Sequence, residues 1–274
     1  MTDRDQLRPA LDALDVDALR ASAIDAGWRH LDVVAQTGST NADLLARAAA
    51  GEPEGLVLAA EQQRAGRGRL GRTWTAPPRA ALTFSVLLRP TVPRARLGWL
   101  PLLAGVAVAA AVRAATGLDA RLKWPNDVLV GTAKLAGILA EAAGEAVVVG
   151  IGLNVSTEPA DLPPPGPGGL PATSLAIEGA PTTDRAALLA AMLAGLERRY
   201  RAWDQVFGDS ERAGLRAEYA SLCATLGRRV RVELPGGRVL DGVAADLDAD
   251  GRLLVSIPSG ADLPVAAGDI VHLR

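Results

Sequence analysis

The sequence is poor in the residue types on which many metal sites and hydrolytic enzymes depend. Its 274 residues contain a single cysteine, Cys223, so neither a disulfide framework nor a zinc site built from several cysteines can form. Only two histidines occur, His30 and His272, and neither belongs to a recognisable motif, which disfavours histidine-bound metals and Ser-His-Asp catalysis. A chain with one thiol suits a reducing compartment, so we expect it in the cytoplasm.

An excess of charge of either sign is also lacking, because 29 basic residues face 31 acidic ones and leave a net charge of −2. That balance argues against a general nucleic-acid coat or a polybasic membrane binder. Hydrophobic residues make up 49% of the chain and charged residues 22%, which predicts one large or two unequal folded domains. The charged N-terminus shows no secretory signal.

Long hydrophobic runs are scarce too. The most apolar one has 16 residues between Arg96 and Arg113, fewer than the roughly 18 that cross a bilayer. We therefore predict a buried helix with Gly117 as its stop signal and no membrane partner.

The order of apolar and polar segments predicts an α+β or α/β domain with a sheet at its centre. Helices are predicted around the leucines at 7, 11, 14 and 19 and over residues 41–50, 185–206 and 211–222, and strands over 56–60, 82–88, 128–130, 135–142 and 146–155. Six prolines make residues 158–172 an irregular surface loop. After residue 225, alternating apolar residues and glycine turns predict a small β-barrel, so we divide the chain into domains 1–224 and 225–274.

Lysine is nearly absent, since 27 of the 29 basic residues are arginine and only Lys123 and Lys134 remain. Both lie within twelve positions of each other. The lysine ammonium is a compact point charge. The planar guanidinium of arginine cannot replace it where a carboxylate or phosphate must be bound by a single charged nitrogen. The two lysines are therefore candidate ligand-binding residues, with two ordinary surface lysines as the alternative.

Acidic residues are missing between Glu61 and Asp119, whereas nine arginines occur there. Four of them lie in residues 64–72, Arg-Ala-Gly-Arg-Gly-Arg-Leu-Gly-Arg. Glycine there lets a ligand approach the backbone, and arginine can donate two parallel hydrogen bonds to phosphate oxygens. We predict a flexible loop that grips an anion, with a solvated arginine-rich loop as the alternative. The letters also fit dinucleotide-binding and P-loop patterns, but a proline-containing segment and a strand follow instead of a helix, which excludes both.

Three shorter motifs carry polar groups suited to a binding site. Residues 124–127, Trp-Pro-Asn-Asp, place a carboxylate on a rigid turn, where it can orient Mg²⁺ or an amine. The alternative is that Asn126 and Asp127 merely cap the turn and that Trp124 belongs to the core. Residues 150–154, Gly-Ile-Gly-Leu-Asn, permit close approach of a ligand. Residues 39–41, Ser-Thr-Asn, begin a predicted helix, and Thr40 with Asp43 fits a capping box, so a hydroxyl there caps the helix or binds a ligand.

Taken together, five motifs closely resemble the biotin–protein ligase family in order and spacing. They are Gly-Ser-Thr-Asn at 38–41, the segment 61–74, Lys-Trp-Pro-Asn-Asp at 123–127, Lys-Leu-Ala-Gly-Ile-Leu-Ala-Glu at 134–141 and Gly-Ile-Gly-Leu-Asn at 150–154. The resemblance covers about residues 35–274. It implies an α+β fold of the class II synthetase-like biotin/lipoate ligase type, with a central mixed sheet flanked by helices and a C-terminal SH3-like β-barrel.

The resemblance also implies a reaction. A biotin–[biotin carboxyl carrier protein] ligase uses ATP and Mg²⁺ to convert biotin into biotinyl-5′-AMP, and a carrier-protein lysine then attacks this mixed anhydride. The expected partner is a biotin carboxyl carrier domain of an acyl-CoA or pyruvate carboxylase, with no nucleic acid. Because only some 35 residues precede the first motif, we expect a monofunctional ligase without a DNA-binding domain, as a monomer or weak homodimer.

Site residues follow from the same resemblance. The expected catalytic residues are Arg67, Arg69, Lys134 and Asp127, with Asp127 near Mg²⁺ or the incoming amine. The expected biotin-binding residues are Ser39, Thr40, Asn41, Gln63, Arg67, Gly68, Arg69 and Lys134. The expected ATP-binding residues are Arg69, Arg72, Trp74, Lys123, Asn126 and Asn154, with Trp74 and Asn154 against adenine.

Two other functions compete with this interpretation. A lipoate–protein ligase resembles this fold and chemistry, but the Gly-Arg-Gly-Arg loop and the Lys-Trp-Pro-Asn-Asp motif favour biotin. An arginine-rich nucleic-acid-binding module is suggested by the loop and the terminal barrel. The acidic net charge, the low aromatic content of 3% and the lack of an RNA-recognition signature disfavour it.

Overall fold

The structure, a computed structural model, describes residues 12–234 and 236–273. The helices are α1 (Val16–Asp25), α2 (Thr40–Ala49), α3 (Trp99–Thr116), α4 (Arg185–Asp204) and α5 (Leu215–Leu222). The strands are β1 (His30–Val34), β2 (Leu56–Ala60), β3 (Gly66–Arg67), β4 (Thr73–Trp74), β5 (Ala81–Leu88), β6 (Ala120–Lys123), β7 (Asp127–Val130), β8 (Ala133–Ala143), β9 (Ala146–Asn154), β10 (Arg229–Glu233), β11 (Val239–Leu247), β12 (Leu253–Ser256), β13 (Asp262–Val265) and β14 (Asp269–His272).

Seven strands form a central sheet in the order β1-β2-β5-β9-β8-β7-β6. The β1–β2 pair is parallel and every other neighbouring pair in this sheet is antiparallel. Helix α2 packs on one face, while α3 covers the other and α4 packs against α3. The α+β prediction, with a mixed sheet flanked by helices, is confirmed. The α/β alternative is wrong, because a doubly wound fold needs a mainly parallel sheet.

Helix α3 forms the centre of the core, with 13 of its 18 residues buried. It ends at Gly117, which adopts a left-handed conformation (φ 72°) and donates its N–H to Arg113 O at 2.9 Å. The helical stretch 94–116 includes the flanking arginines and is long and apolar enough to cross a membrane by length and composition alone, so the 16-residue apolar run did not by itself exclude a span. In the most apolar 18-residue segment of this stretch, 67% of the residues are buried inside the protein, so α3 is the predicted core helix.

Several elements differ from the sequence prediction. The two edge strands β1 and β6 were missed, because charged residues interrupt their short apolar runs, unlike the continuous apolar run of β2. Helix α5 begins at Leu215 rather than at 211, since Gly214 adopts a left-handed conformation just before it. Residues 158–172 contain only short 3₁₀ turns, as expected for a loop. The leucines at 7 and 11 lie outside the described residues.

The C-terminal strands form one antiparallel sheet in the order β13-β12-β11-β10-β14, the predicted small barrel, with hairpins at the two predicted glycine turns. The turn at 248–251 docks on the start of α3 and on the turn after β6. Trp99 Nε1 donates to Ala249 O at 3.0 Å, and Trp124 Nε1 donates to Gly251 O at 3.1 Å. A Cβ on Gly98 would lie 2.4 Å from Asp250 O, so only glycine allows this approach. This docking brings β14 to the cleft described next.

Candidate active site

A cleft opens between α2, strands β8 and β9, the turn after β6 and strand β14, and it encloses about 810 Å³ including its open mouth. Thirteen of the fourteen predicted site residues line it. They are Ser39, Thr40, Asn41, Gln63, Arg67, Gly68, Arg69, Arg72, Trp74, Lys123, Asn126, Asp127 and Lys134. The fold therefore gathers, in one place, residues that the sequence spreads over almost a hundred positions.

Glycine forms the floor of the cleft. The β8–β9 register places Gly137 opposite Gly152, and Gly150 lies two residues before Gly152 on the same face. A Cβ on Gly150 would lie 2.1 Å from Asn41 Oδ1, and one on Gly152 would lie 2.3 Å from Trp74 Cε2. The indole of Trp74 therefore lies flat against the floor, and its buried Nε1 has no hydrogen-bond partner among the described residues.

The arginine-rich segment is a short hairpin rather than an irregular loop, because β3 pairs with β4. Sequence reasoning missed these strands, since glycine and arginine are poor strand formers. Each arginine meets a different element. Arg67 Nη1 lies 3.2 Å from Glu141 Oε1, Arg69 Nη1 donates to Asn126 Oδ1 at 3.1 Å, and Arg72 pairs with Asp269. We call residues 66–74 the lid hairpin.

Three cations converge at the end of the cleft near the lid hairpin. Lys134 Nζ lies 2.6 Å from Asp127 Oδ1, and Lys123 is buried opposite Asp127 in the β6–β7 hairpin. Burial lowers the pKa of Lys123 and also that of Arg69. Because desolvation disfavours both charged forms, an anionic ligand placed among these groups would offset that cost. The geometry thus favours a bound carboxylate or phosphate.

The opposite end of the cleft is polar, and the ion pair beside Asn41, formed by Arg67 and Glu141, adds no net charge. Ser39 caps α2, and its Oγ accepts from Ala42 N at 3.4 Å. The capping box predicted for Thr40 is wrong, because Thr40 lies inside the helix and its N–H and hydroxyl both donate to Gln63 Oε1, at 2.8 and 3.1 Å. The Thr40 side chain is therefore part of the cleft wall and not a cap.

Asn154 is the one predicted site residue that does not line the cleft. It is buried, and its Nδ2 donates to Thr173 O at 2.9 Å, which holds the loop after β9. Sequence reasoning missed Asp269 and Ile270, which the barrel contributes to the lining. No local signal marks them, because Asp269 follows its partner Arg72 by 197 positions.

The described residues offer few side chains that could bind a metal ion in the cleft. Within residues 12–234 and 236–273, no group of three or more histidine, cysteine, aspartate or glutamate side chains is placed to hold a metal. Asp127 offers one carboxylate, already paired with Lys134. Mg²⁺ commonly binds through one or two carboxylates together with substrate phosphates, so the residues fit a metal that arrives with a nucleotide.

Comparison with known proteins identifies the family. Residues 33–157 match the biotin/lipoate A/B protein ligase family, and residues 225–273 match the biotin protein ligase C-terminal domain. The chain is 49% identical to a biotin–[acetyl-CoA-carboxylase] ligase of Mycobacterium tuberculosis over 281 aligned positions that cover all of both chains. The chain belongs to the biotin protein ligase family.

Solved biotin protein ligases share the fold. A structure from Aquifex aeolicus, in complex with biotin and ATP, is 27% identical, with a TM-score of 0.74 over 90% of this chain and 100% of that one. A structure from Leishmania major, in complex with biotinyl-5-AMP, is 25% identical, with a TM-score of 0.58 over 86% of this chain and 98% of that one. The family and fold that the sequence motifs implied for this biotin protein ligase are thereby confirmed.

Proposed function

We propose that this ligase uses ATP to convert biotin into biotinyl-5′-AMP and then transfers the biotinyl group to a lysine of a carrier domain. One observation carries the proposal: Arg69, Lys123 and Lys134 converge at one end of a glycine-floored cleft whose other end is polar and neutral. Biotin has the matching polarity, with an uncharged ureido ring at one end and a carboxylate at the other.

For the head group, we assign Ser39, Thr40, Asn41 and Gln63, which line the neutral end of the cleft. For the nucleotide, we assign Arg72, Trp74, Lys123 and Asn126, and the backbone of Gly68 leaves room for close approach. Trp74 lies flat on the glycine floor and lines the cleft, so the ring face directed away from the glycines is the one available to a ligand. Asn154 has no place in this assignment.

In the first step, a carboxylate oxygen of biotin attacks the α-phosphorus of ATP and pyrophosphate leaves. Negative charge accumulates on the α-phosphate oxygens as the bond forms. Arg67, Arg69 and Lys134 would stabilise that charge, and preformed charges in a water-poor cleft are effective because they need little reorganisation. Lys134 must then turn from Asp127 towards the carboxylate and phosphate. Magnesium, bound with ATP beside Asp127, would supply further charge neutralisation.

In the second step, a carrier lysine attacks the acyl carbon of the mixed anhydride and AMP leaves. When Lys134 turns towards the phosphate, the carboxylate of Asp127 loses its 2.6 Å partner. That carboxylate is then free to orient the incoming ammonium and accept its proton. The lid hairpin excludes water from an acyl phosphate that hydrolysis would destroy.

The partner in this proposal is the carrier domain of a biotin-dependent carboxylase, and the setting is the cytoplasm. The test uses the purified protein with ATP, Mg²⁺, biotin and such a carrier domain, followed by weighing the carrier. We expect one added biotinyl group, and none on a carrier whose target lysine is replaced by arginine. Equal or faster transfer of lipoate from a parallel reaction would contradict the assignment to biotin, and an unchanged carrier mass would refute ligase activity.

A further inference from the structure

The beginning of β8 contains a β-bulge. Lys134 pairs with Leu129 of β7, whereas Ala136 pairs with the preceding residue of that strand, so one residue of β8 between them is extra. Lys134 and Gly137 are three positions apart, and residues at that spacing in a regular strand point to opposite faces of the sheet. The extra residue reverses this alternation and places Lys134 on the same face as Gly137.

The side chain of Lys134 confirms this placement. Lys134 and Gly137 both line the cleft, and a Cβ added to Gly137 would lie 3.2 Å from both Cε and Nζ of the lysine. The lysine side chain therefore runs beside the glycine floor. In a regular β8 it would point to the face that α3 covers, away from a ligand in the cleft.

Residues 171–173 hold the bulge where the pairing of β8 with β9 ends. That pairing stops at Ala136 of β8. Beyond it, Lys134 N donates to Pro171 O at 2.7 Å, and Thr173 N donates to Lys134 O at 2.9 Å. Both backbone polar groups of the lysine are therefore bonded to one short segment. We call residues 171–173 the clamp segment.

Asn154 attaches the clamp segment to the end of β9. Its Nδ2 donates to Thr173 O at 2.9 Å, and its backbone O accepts from Leu175 N at 3.1 Å. The hydroxyl of Thr173 also donates to Glu178 Oε1 at 2.6 Å. Asn154 and Thr173 are only 4% and 2% exposed, so water cannot replace these hydrogen bonds when they break.

We propose that Asn154 and Thr173 are positioning residues for Lys134. They hold the clamp segment, the clamp segment holds the bulge, and the bulge directs the ammonium into the cleft. The inference rests on the proposed function, because the stabilisation of phosphate charge by Lys134 belongs to it. A displacement of a reacting group by about 1 Å can slow a reaction by about 100-fold, so the hold on Nζ matters for the rate.

The test measures pyrophosphate release by the full chain from ATP, Mg²⁺ and biotin. Asn154→Leu keeps a side chain of similar size but removes the donor to Thr173 O. We expect kcat to fall about 10- to 100-fold and the KM for ATP to change by less than about twofold, because Nζ is displaced while the cleft lining is intact. The Lys134 amide, which donates to Pro171 O, should exchange its hydrogen faster than in the wild type.

A second variant and a control separate the clamp from the fold. Thr173→Val removes the hydrogen bond to Glu178 and keeps the backbone of the clamp segment, so we expect a smaller fall in kcat, of about three- to tenfold. This variant decides the question where Asn154→Leu does not fold. Thr157→Val is the matched control, because Thr157 is equally buried and donates to Ala80 O at 3.3 Å, outside the clamp segment. We expect wild-type kcat in this control.

A double variant tests whether Asn154 acts through Lys134. Lys134→Met removes the ammonium, and an absent ammonium cannot be misplaced. Adding Asn154→Leu to Lys134→Met should therefore lower kcat by less than about twofold further. Losses that multiply in the double variant would show that Asn154 acts independently of the lysine and would overturn the inference.

The remaining failures are distinguishable. Wild-type protein that releases no pyrophosphate with biotin would overturn the proposed function and this inference with it. Wild-type protein that does so, with an unchanged kcat in Asn154→Leu and Thr173→Val, would overturn this inference alone. A raised KM for ATP at an unchanged kcat would also overturn it, because Asn154 would then contact the nucleotide.

Discussion

The glycine floor of the cleft allows a prediction in which ligand binding and stability respond to different positions. Gly150 and Gly152 lie on the same face of β9, and each would be in severe contact with a neighbour if it carried a methyl group. The neighbours differ in how freely they can move. We therefore expect Gly152→Ala to damage ligand binding and Gly150→Ala to damage the fold.

For Gly152→Ala, the new Cβ would lie 2.3 Å from Trp74 Cε2 and 2.6 Å from Trp74 Cζ2. Carbon atoms in contact prefer about 3.5–4.0 Å, so the indole must retreat by more than about 1 Å. Trp74 lies on a two-residue strand and its Nε1 has no partner to lose, so this movement costs little stability. The displaced ring enters the ligand space. We expect the affinity for ATP, the ligand that Trp74 is proposed to contact, to fall about 10- to 100-fold, equivalent to about 1.4–2.8 kcal/mol.

For Gly150→Ala, the new Cβ would lie 2.1 Å from Asn41 Oδ1. Asn41 is held by Glu141 and Ser85 and cannot withdraw without breaking those hydrogen bonds. Overpacking of this kind costs about 1–3 kcal/mol, so the melting temperature should fall by several degrees.

Titration calorimetry with ATP and thermal unfolding of the free proteins measure the two effects. Gly38→Ala is a matched control, because a Cβ there meets no atom within 4 Å. Wild-type affinity in Gly152→Ala, or a wild-type melting temperature in Gly150→Ala, would refute the reasoning.

Three further predictions follow from the charged end of the cleft and from the barrel. Arg69→Gly removes a partly buried cation from the lid hairpin, so we expect biotinyl-5′-AMP to escape and to label an unrelated protein, whereas wild-type retention of the adenylate would contradict this. Lys134→Arg keeps the charge but not the compact ammonium, so pyrophosphate release should slow by about 100-fold, with the exposed Arg64→Lys as control. Burial lowers the pKa of His272 to about 4 from an ordinary value of 6.5, so the unfolded chain binds the extra proton and stability falls as the pH decreases through that interval. Chemical unfolding at several pH values in this range gives the free energy of unfolding as a function of pH. That free energy should depend less steeply on pH in His272→Asn than in the wild type or in His30→Gln. Equal pH dependence in all three proteins would be evidence against the buried neutral histidine.

Local sequence was sufficient for the elements whose pattern is long or sharply bounded. The apolar run of α3 with its glycine stop, the strands β2 and β5, and the two glycine hairpins of the barrel occur where the sequence predicted them. In each, burial or turn chemistry acts on neighbouring residues, so a short window contains the information. The edge strands β1 and β6 were missed because charged residues interrupt their short apolar runs, and the lid hairpin was missed because its two strands have two residues each.

Local sequence also marked most of the residues that the fold brings into one cleft. An absence of acidic residues, two isolated lysines and five ordered motifs marked thirteen residues that share one cleft. The chemistry of those side chains is a property of each residue type, and it does not require knowledge of the fold. Asn154 shows the limit of that reasoning, because its amide is directed to Thr173 O and not to the cleft.

Only the tertiary structure decided how these groups are held. The pairing of Arg72 with Asp269, the placement of Ser85 behind Thr40 and the shared carboxylate of Glu141 join residues between 45 and 197 positions apart. Hydrogen-bond direction and the desolvation of a charge depend on atoms a few ångströms away, whatever their distance along the chain. Sequence determined which functional groups are available, and packing determined which protons and charges they present to a ligand.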